Sequence, residues 1–156
     1  MAYQFISTPD EHAFEAYMSE HGVALQSMHW AAVKSNWQRR LFALEDSHHS
    51  IVAAAMVLVK PLPLGYSMYY IPRGPIADGQ DQDLMIELLN HIKNASRQDK
   101  CIFIKFDPYI LDNRFMLKDG RPEGHNQQAV DRFVNEGGAI HKGYTMSIAE
   151  TVQPRT

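Results

Sequence analysis

Apolar positions along the chain switch between a two-residue and a three-to-four-residue period, and the switches divide it into strands and helices. Residues 3–7 read as a short strand ended by Thr8-Pro9, with Thr8 placed to cap a helix and Pro9 to open it. Ala13, Phe14, Tyr17 and Met18 recur at helical spacing until Gly22 closes the segment. Ser27 is a second cap, ahead of a short helix holding Trp30, Val33 and Lys34 and ended by Trp37. Strand patterning over 39–44 leads into a turn at 45–50. The run 51–59 is continuously apolar and contains valines, which predicts a buried central strand. A strand over 67–71 carries tyrosines suited to lining a cleft. The clearest helix is 83–95, where Leu84, Met85, Leu88, Leu89 and Ile92 form one stripe and Glu87, Asn90 and Asn94 face water. A strand follows over 101–106 and a helix over 129–134 with Gly137-Gly138 behind it, and residues 140–148 predict a closing strand or pair. Between them, residues 111–128 form a polar stretch long enough to suggest a mobile or functional loop.

The order is a three-strand meander in front of a β-α-β-α unit, preceded by one strand and two helices. That is an α/β chain, with the helices flanking a mixed sheet. With 156 residues it amounts to one domain with a substantial core. Charge then narrows the partners. A net charge of −3 and a pI near 6.2 leave no basic face broad enough to hold tRNA by its phosphates. The single cysteine, Cys101, forms no internal disulfide and fits a reducing compartment. The start lacks the basic and apolar regions of a signal peptide, and the longest apolar run is roughly half a membrane span. The expected address is the cytoplasm.

Three segments carry candidate chemistry, each with a structural alternative. In Leu25-Gln26-Ser27 through Trp37, a lysine beside tryptophan suits a ligand with a phosphate and a flat ring; equally, the two tryptophans pack in the core with Lys34 snorkelling over them. In Ile71-Pro72-Arg73-Gly74-Pro75-Ile76, a strand-to-helix turn stands where acyl-CoA enzymes of this architecture cradle pyrophosphate on backbone N–H groups. Pro72 and Pro75 remove two such donors, so a rigid turn is the alternative. In Ile104-Lys105-Phe106-Asp107-Pro108, Asp107 sits at the carboxyl end of a strand, where open α/β sheets place ligands; it could orient an amine or cap the next turn. His48-His49 lies in a turn without metal-ligand spacing, and no Gly-x-Ser-x-Gly elbow or Walker signature occurs.

Taken in order, these segments resemble the blocks of the FemABX family of peptidoglycan cross-bridge peptidyltransferases. Residues 25–37 are similar to its "LQS..W..VK..W" block, 70–76 to its "Y..RGP" turn, 104–108 to its "(K/R)-F-D-P" strand end, and Thr151-Val152-Gln153-Pro154-Arg155 to its "T-(I/V)-Q-P-R" signature. The resemblance covers nearly the whole chain. It implies an N-acetyltransferase-like fold (GNAT, or acyl-CoA N-acyltransferase), with residues 1–156 as the first of two such domains and the second absent from this chain. The ending after Thr156 accordingly reads as the middle of a longer protein.

By the same resemblance, the activity is transfer of an amino acid from aminoacyl-tRNA to the stem-peptide amine of a UDP-MurNAc-pentapeptide or lipid-linked precursor. It implies no coenzyme A, no metal and no other cofactor. Lys34 matches a lysine contacting the uridine-diphosphate portion, with Trp37 beside it. Asp107 matches an aspartate of the acceptor-peptide groove and is the one catalytic candidate. Arg73 and Gly74 match the adjacent turn. Ile102 departs from relatives that place a tyrosine there. The implied partners are the precursor, aminoacyl-tRNA through the missing half, and the inner membrane face by peripheral contact where the acceptor is lipid-linked. The fragment alone is expected to be inactive. Two alternatives stay open, namely a stand-alone acyl-CoA-dependent N-acyltransferase and a non-catalytic precursor-binding module.

Overall fold

The computed structural model describes residues 2–111, 118 and 125–143. In chain order its elements are β1 (Gln4–Ile6), α1 (Glu11–His21), α2 (Met28–Val33), β2 (Gln38–Glu45), β3 (Ile51–Pro61), β4 (Ser67–Ile71), β5 (Ile76–Ala77), α3 (Gln82–Ala95), β6 (Cys101–Phe106) and α4 (Gln127–Asn135). Short 3-10 turns join several of them.

Helix α1 starts later than the Thr8-Pro9 pair predicts. The cap is Asp10, whose carboxylate accepts the Ala13 N–H at 2.9 Å. A carboxylate satisfies the orphan donor and also faces the positive end of the helix, so it outcompetes a threonine two residues upstream. Gly22 closes α1 as expected. A Cβ there would lie 2.7 Å from the Met18 carbonyl oxygen that its own N–H binds. Ser27 caps α2, its hydroxyl accepting from Trp30 N–H at 3.2 Å. That helix ends at Val33, so Trp37 lies beyond it, at the entry to β2.

The sheet runs in the order β1-β2-β3-β4-β6, with β5 paired to β3. Neighbours are antiparallel except β4 and β6, which are parallel and joined by the crossover through α3. β3 is central and covered on both faces, the physical reason for its unbroken apolar run. On one face Phe42, Val57, Tyr69 and Ile71 pack against Leu84, Met85, Leu88 and Ile92 of α3 and Phe133 of α4. On the other, Leu41, Met56, Leu58 and Tyr70 pack against Phe14, Tyr17 and Met18 of α1 and Ala31 of α2. Each of the large aliphatic, Phe and Met side chains among them, fully buried, contributes about 1.5–3 kcal/mol. Tyr69 and Tyr70 are therefore core residues and do not line an open cleft with their rings.

Most of the polar 111–128 stretch and all of the Thr151–Arg155 block fall outside the described residues, and the last two residues of that stretch already belong to α4. Of the closing strand expected over 140–148, only the first four residues are described, and they carry no strand. His48 and His49 stand exposed in the β2–β3 turn, organised by Asp46, which accepts the N–H groups of His48 and Ser50.

Candidate functional site

The feature that organises the site is a break in the pairing of β3 with its neighbour. Leu58 pairs with Tyr70, but Ala54 pairs with Ile76. Three residues of β3 (55–57) thus face five on the opposite chain (71–75), and the surplus of two is taken up by a bulge at Pro72-Arg73-Gly74-Pro75. Sequence reading gave this segment as a simple turn into α3. It is instead an interruption within one edge of the sheet, with β5 resuming the pairing beyond it. Two residues of strand bounded by Pro75 and Asp78-Gly79 leave too little alternation to read.

Within the bulge, Gly74 N–H donates to Ile71 O at 3.4 Å, closing a turn with Pro72 second and Arg73 third. Arg73 has φ of +51°, a left-handed conformation that costs a non-glycine residue about 1–2 kcal/mol. The Gly74–Pro75 peptide is cis.

Two side chains hold this turn. From the side of β6, the Asp107 carboxylate accepts the Arg73 N–H at 3.0 Å, and the Arg73 guanidinium lies 3.9 Å from its other oxygen. Asp107 follows directly on the last parallel pair, Ile71 with Phe106, at the point where the two chains part. Burial pushes its carboxyl above the usual carboxylate range, opposed by the Arg73 N–H, the charges of Arg73 and Lys105, and a hydrogen bond from Tyr70. Lys105 also sits over the Tyr70 ring, 5.9 Å from its centre.

From the side of α2, the buried Gln26 amide does what a strand would have done. Its Oε1 accepts the Met56 N–H at 2.8 Å, and its Nε2 donates to Met56 O at 3.2 Å and to Pro72 O at 2.6 Å. Met56 lies opposite the bulge, so its N–H and C=O face the gap in the ladder. Gly74 packs on the same amide, where a Cβ would come within 2.8 Å of the Gln26 side chain.

The structure therefore brings Arg73, Gly74 and Asp107 into one unit. Lys34 and Trp37 form a separate group around the C-terminal end of α2. Lys34 Nζ lies 5.5 Å from the Trp30 ring centre, and Lys60 Nζ lies 5.6 Å from that of Trp37. Both tryptophans are half-buried against the α1-side core, so the packing reading of these residues holds together with their exposure to solvent. Sequence reading missed Gln26, Tyr70, Lys60 and Lys105 as contributors. Gln26 was visible only as the middle of the Leu25-Gln26-Ser27 block, and Lys60 and Lys105 pair with rings distant in the chain.

Comparison with known proteins gives a consistent picture. The protein-family model described as "FemAB family" matches residues 9–156. Aminoacyltransferase FemA of Staphylococcus aureus (strain MW2) is 24% identical over 113 residues, which is 69% of this chain and 27% of that protein. Among solved structures, FemX superposes with a TM-score of 0.74 at 23% identity, covering 94% of this chain and 34% of FemX. Glucosamine-6-phosphate N-acetyltransferase from Arabidopsis thaliana superposes with a TM-score of 0.53 at 9% identity, covering 94% of this chain and 97% of that one. The fold is thus that of the N-acetyltransferases. The chain spans about a quarter of FemA and a third of FemX. Among the described residues no helix is long and apolar enough to cross a membrane.

Proposed function

The chain belongs to the FemAB family, and from that premise we propose that it is the acceptor-side domain of an aminoacyltransferase of peptidoglycan biosynthesis. The donor is an aminoacyl-tRNA, and the acceptor is the stem-peptide amine of UDP-MurNAc-pentapeptide or its lipid-linked form. The observation that carries this reading is Asp107, held at the parting of β4 and β6 by a left-handed Arg73. Strain of this kind persists where surrounding contacts fix it, and it clusters at functional sites.

In the reaction, the acceptor nitrogen attacks the ester carbonyl of the aminoacyl-tRNA. A C–N bond forms, the ester C–O bond breaks, and the proton lost by the amine ends on the departing hydroxyl. Asp107 accepts a hydrogen bond from the amine and orients it, and its poorly solvated charge strengthens that contact. Arg73 and Gly74 form the wall of the acceptor groove. Lys34 pairs with the diphosphate, while Trp37 offers a ring face beside it. Residues 1–156 act as the first of two such domains, and the tRNA surface belongs to the second, in keeping with a net charge of −3 here.

Calorimetric titration with UDP-MurNAc-pentapeptide tests the reading, with acetyl-CoA as comparison ligand. The expected result is precursor binding that weakens about tenfold or more in Lys34→Ala, the loss of one charge-assisted contact. Acetyl-CoA binding without precursor binding would overturn it in favour of an acyl-CoA-dependent enzyme.

A further inference from the structure

We infer that Gln26 is a positioning residue for the Arg73–Asp107 pair, acting through the Pro72–Pro75 bulge. The inference rests on the proposed function only for what the pair is for; the positioning itself stands on geometry.

A bulge of two surplus residues in a buried sheet leaves backbone groups without ladder partners, and such groups are costly unless paired. At Met56 both the N–H and the C=O are affected, and one side chain satisfies both. Only a primary amide of this length can do so, because it alone offers an acceptor and two donor hydrogens in a peptide-like arrangement. The second Nε2 hydrogen goes to Pro72 O at 2.6 Å. Pro72 is the residue immediately before Arg73, so its carbonyl belongs to the same peptide unit as the Arg73 N–H. One peptide plane is thus gripped at its oxygen by Gln26 and at its nitrogen by Asp107. Two opposed hydrogen bonds fix the rotation of that plane and so the direction in which Arg73 N–H points. Gly74 leaves the amide room to make these contacts. Gln26 itself is fully buried, so it reaches ligand only through the turn.

The linkage also joins two candidate segments that lie far apart in sequence. Gln26 immediately precedes Ser27, the cap of α2, whose far end carries Lys34. The same short stretch that positions Lys34 therefore fixes the turn against Asp107.

The test follows the Arg73 amide by NMR during a pH titration of the full chain. In the wild type this amide shifts as Asp107 titrates, and the shift disappears in Asp107→Asn, which identifies its source. Gln26→Met keeps the side-chain length and removes the polar contacts. The expected result is a folded protein whose Arg73 amide no longer follows Asp107. Should Gln26→Met not fold, Gln26→Asn is read the same way, since its amide is one methylene too short to span Met56 and Pro72. A variant that is less stable but keeps the wild-type Arg73 response would overturn the inference, leaving Gln26 a purely structural residue. Precursor binding is measured alongside and is expected to weaken at least tenfold in Gln26→Met. Failure of the wild type to bind precursor would count against the proposed function, while the Arg73 response would still decide the role of Gln26.

Discussion

Replacing Gly74 by alanine is the sharpest perturbation that the bulge offers. The added Cβ would stand 2.8 Å from Cδ, 2.9 Å from Oε1 and 3.0 Å from Nε2 of Gln26, against about 3.5–4.0 Å for a comfortable contact. Gly74 is buried and its amide neighbour is no loose side-chain end, since three hydrogen bonds hold it. If the chain absorbs the clash by shifting backbone, overpacking costs about 1–3 kcal/mol. If Gln26 yields instead, Met56 loses partners for its N–H and C=O, at about 1–3 kcal/mol for each group. The cheaper route sets the cost, so the expectation is about 1–3 kcal/mol. Urea denaturation followed by circular dichroism measures it as a lower midpoint with unchanged slope, and a melting temperature lower by roughly 2–12 °C should accompany it. The mechanism makes a second demand through a double-mutant cycle. With Gln26→Ala already in place, Gly74→Ala should cost under about 0.5 kcal/mol, because its obstacle is gone. A single-mutant cost below about 0.5 kcal/mol, or equal costs in both backgrounds, would refute the close-packing argument.

Two further outcomes concern carboxylates with opposite settings. Asp107 has its folded-state pKa raised, chiefly by burial, so its contribution to stability is full at acid pH and is lost as pH rises through that pKa. Asp107→Asn should therefore be at least as stable as wild type at pH 7, with the difference closing on acidification; a clear loss of stability at pH 7 would count against it. Asp99 is the reverse case, held low first by the Arg40 guanidinium at 3.0 and 3.1 Å, with Tyr69 O–H donating at 2.5 Å. Its stabilisation is present above the unfolded carboxyl pKa and is lost as pH falls through the folded one. Asp99→Ala orphans the buried Tyr69 hydroxyl and should cost about 1–3 kcal/mol at neutral pH. Denaturation at several pH values should find that cost shrinking toward acid, and a pH-independent cost would contradict the pairing.

How much was legible in the sequence follows from which forces are local. β4 and β6 were read at their observed ends, and β3 and α3 nearly so, because an unbroken or strongly periodic apolar run states its own burial. The start of α1 was misplaced because Thr8, Pro9 and Asp10 are all plausible opening residues, and the choice depends on which side chain reaches Ala13. Asp107 was legible as a strand-end carboxylate, and Arg73-Gly74 as a turn. The resemblance put them near one another, but the hydrogen bond that joins them was not legible, since 34 residues separate donor and acceptor. Gln26 was the least legible of all. A glutamine between two apolar-flanked positions gives no hint of burial, and its partners are the backbone groups of Met56 and Pro72, whose vacancy arises only when the strands fail to match in number.

That mismatch has a consequence for how the segment can vary. Side chains on a strand alternate between faces, so a surplus of two residues returns the chain to the sheet in phase. Ile76 rejoins the face that Tyr70 occupies, toward α1, and Ala77 rejoins that of Tyr69, toward α3. A surplus of one or three would exchange them, driving isoleucine into the place made for alanine and leaving a void on the other side. The residues that present Arg73 are thus free to change in kind but are quantised in number. Shape can be retuned at this edge by substitution, whereas length can change only in steps of two.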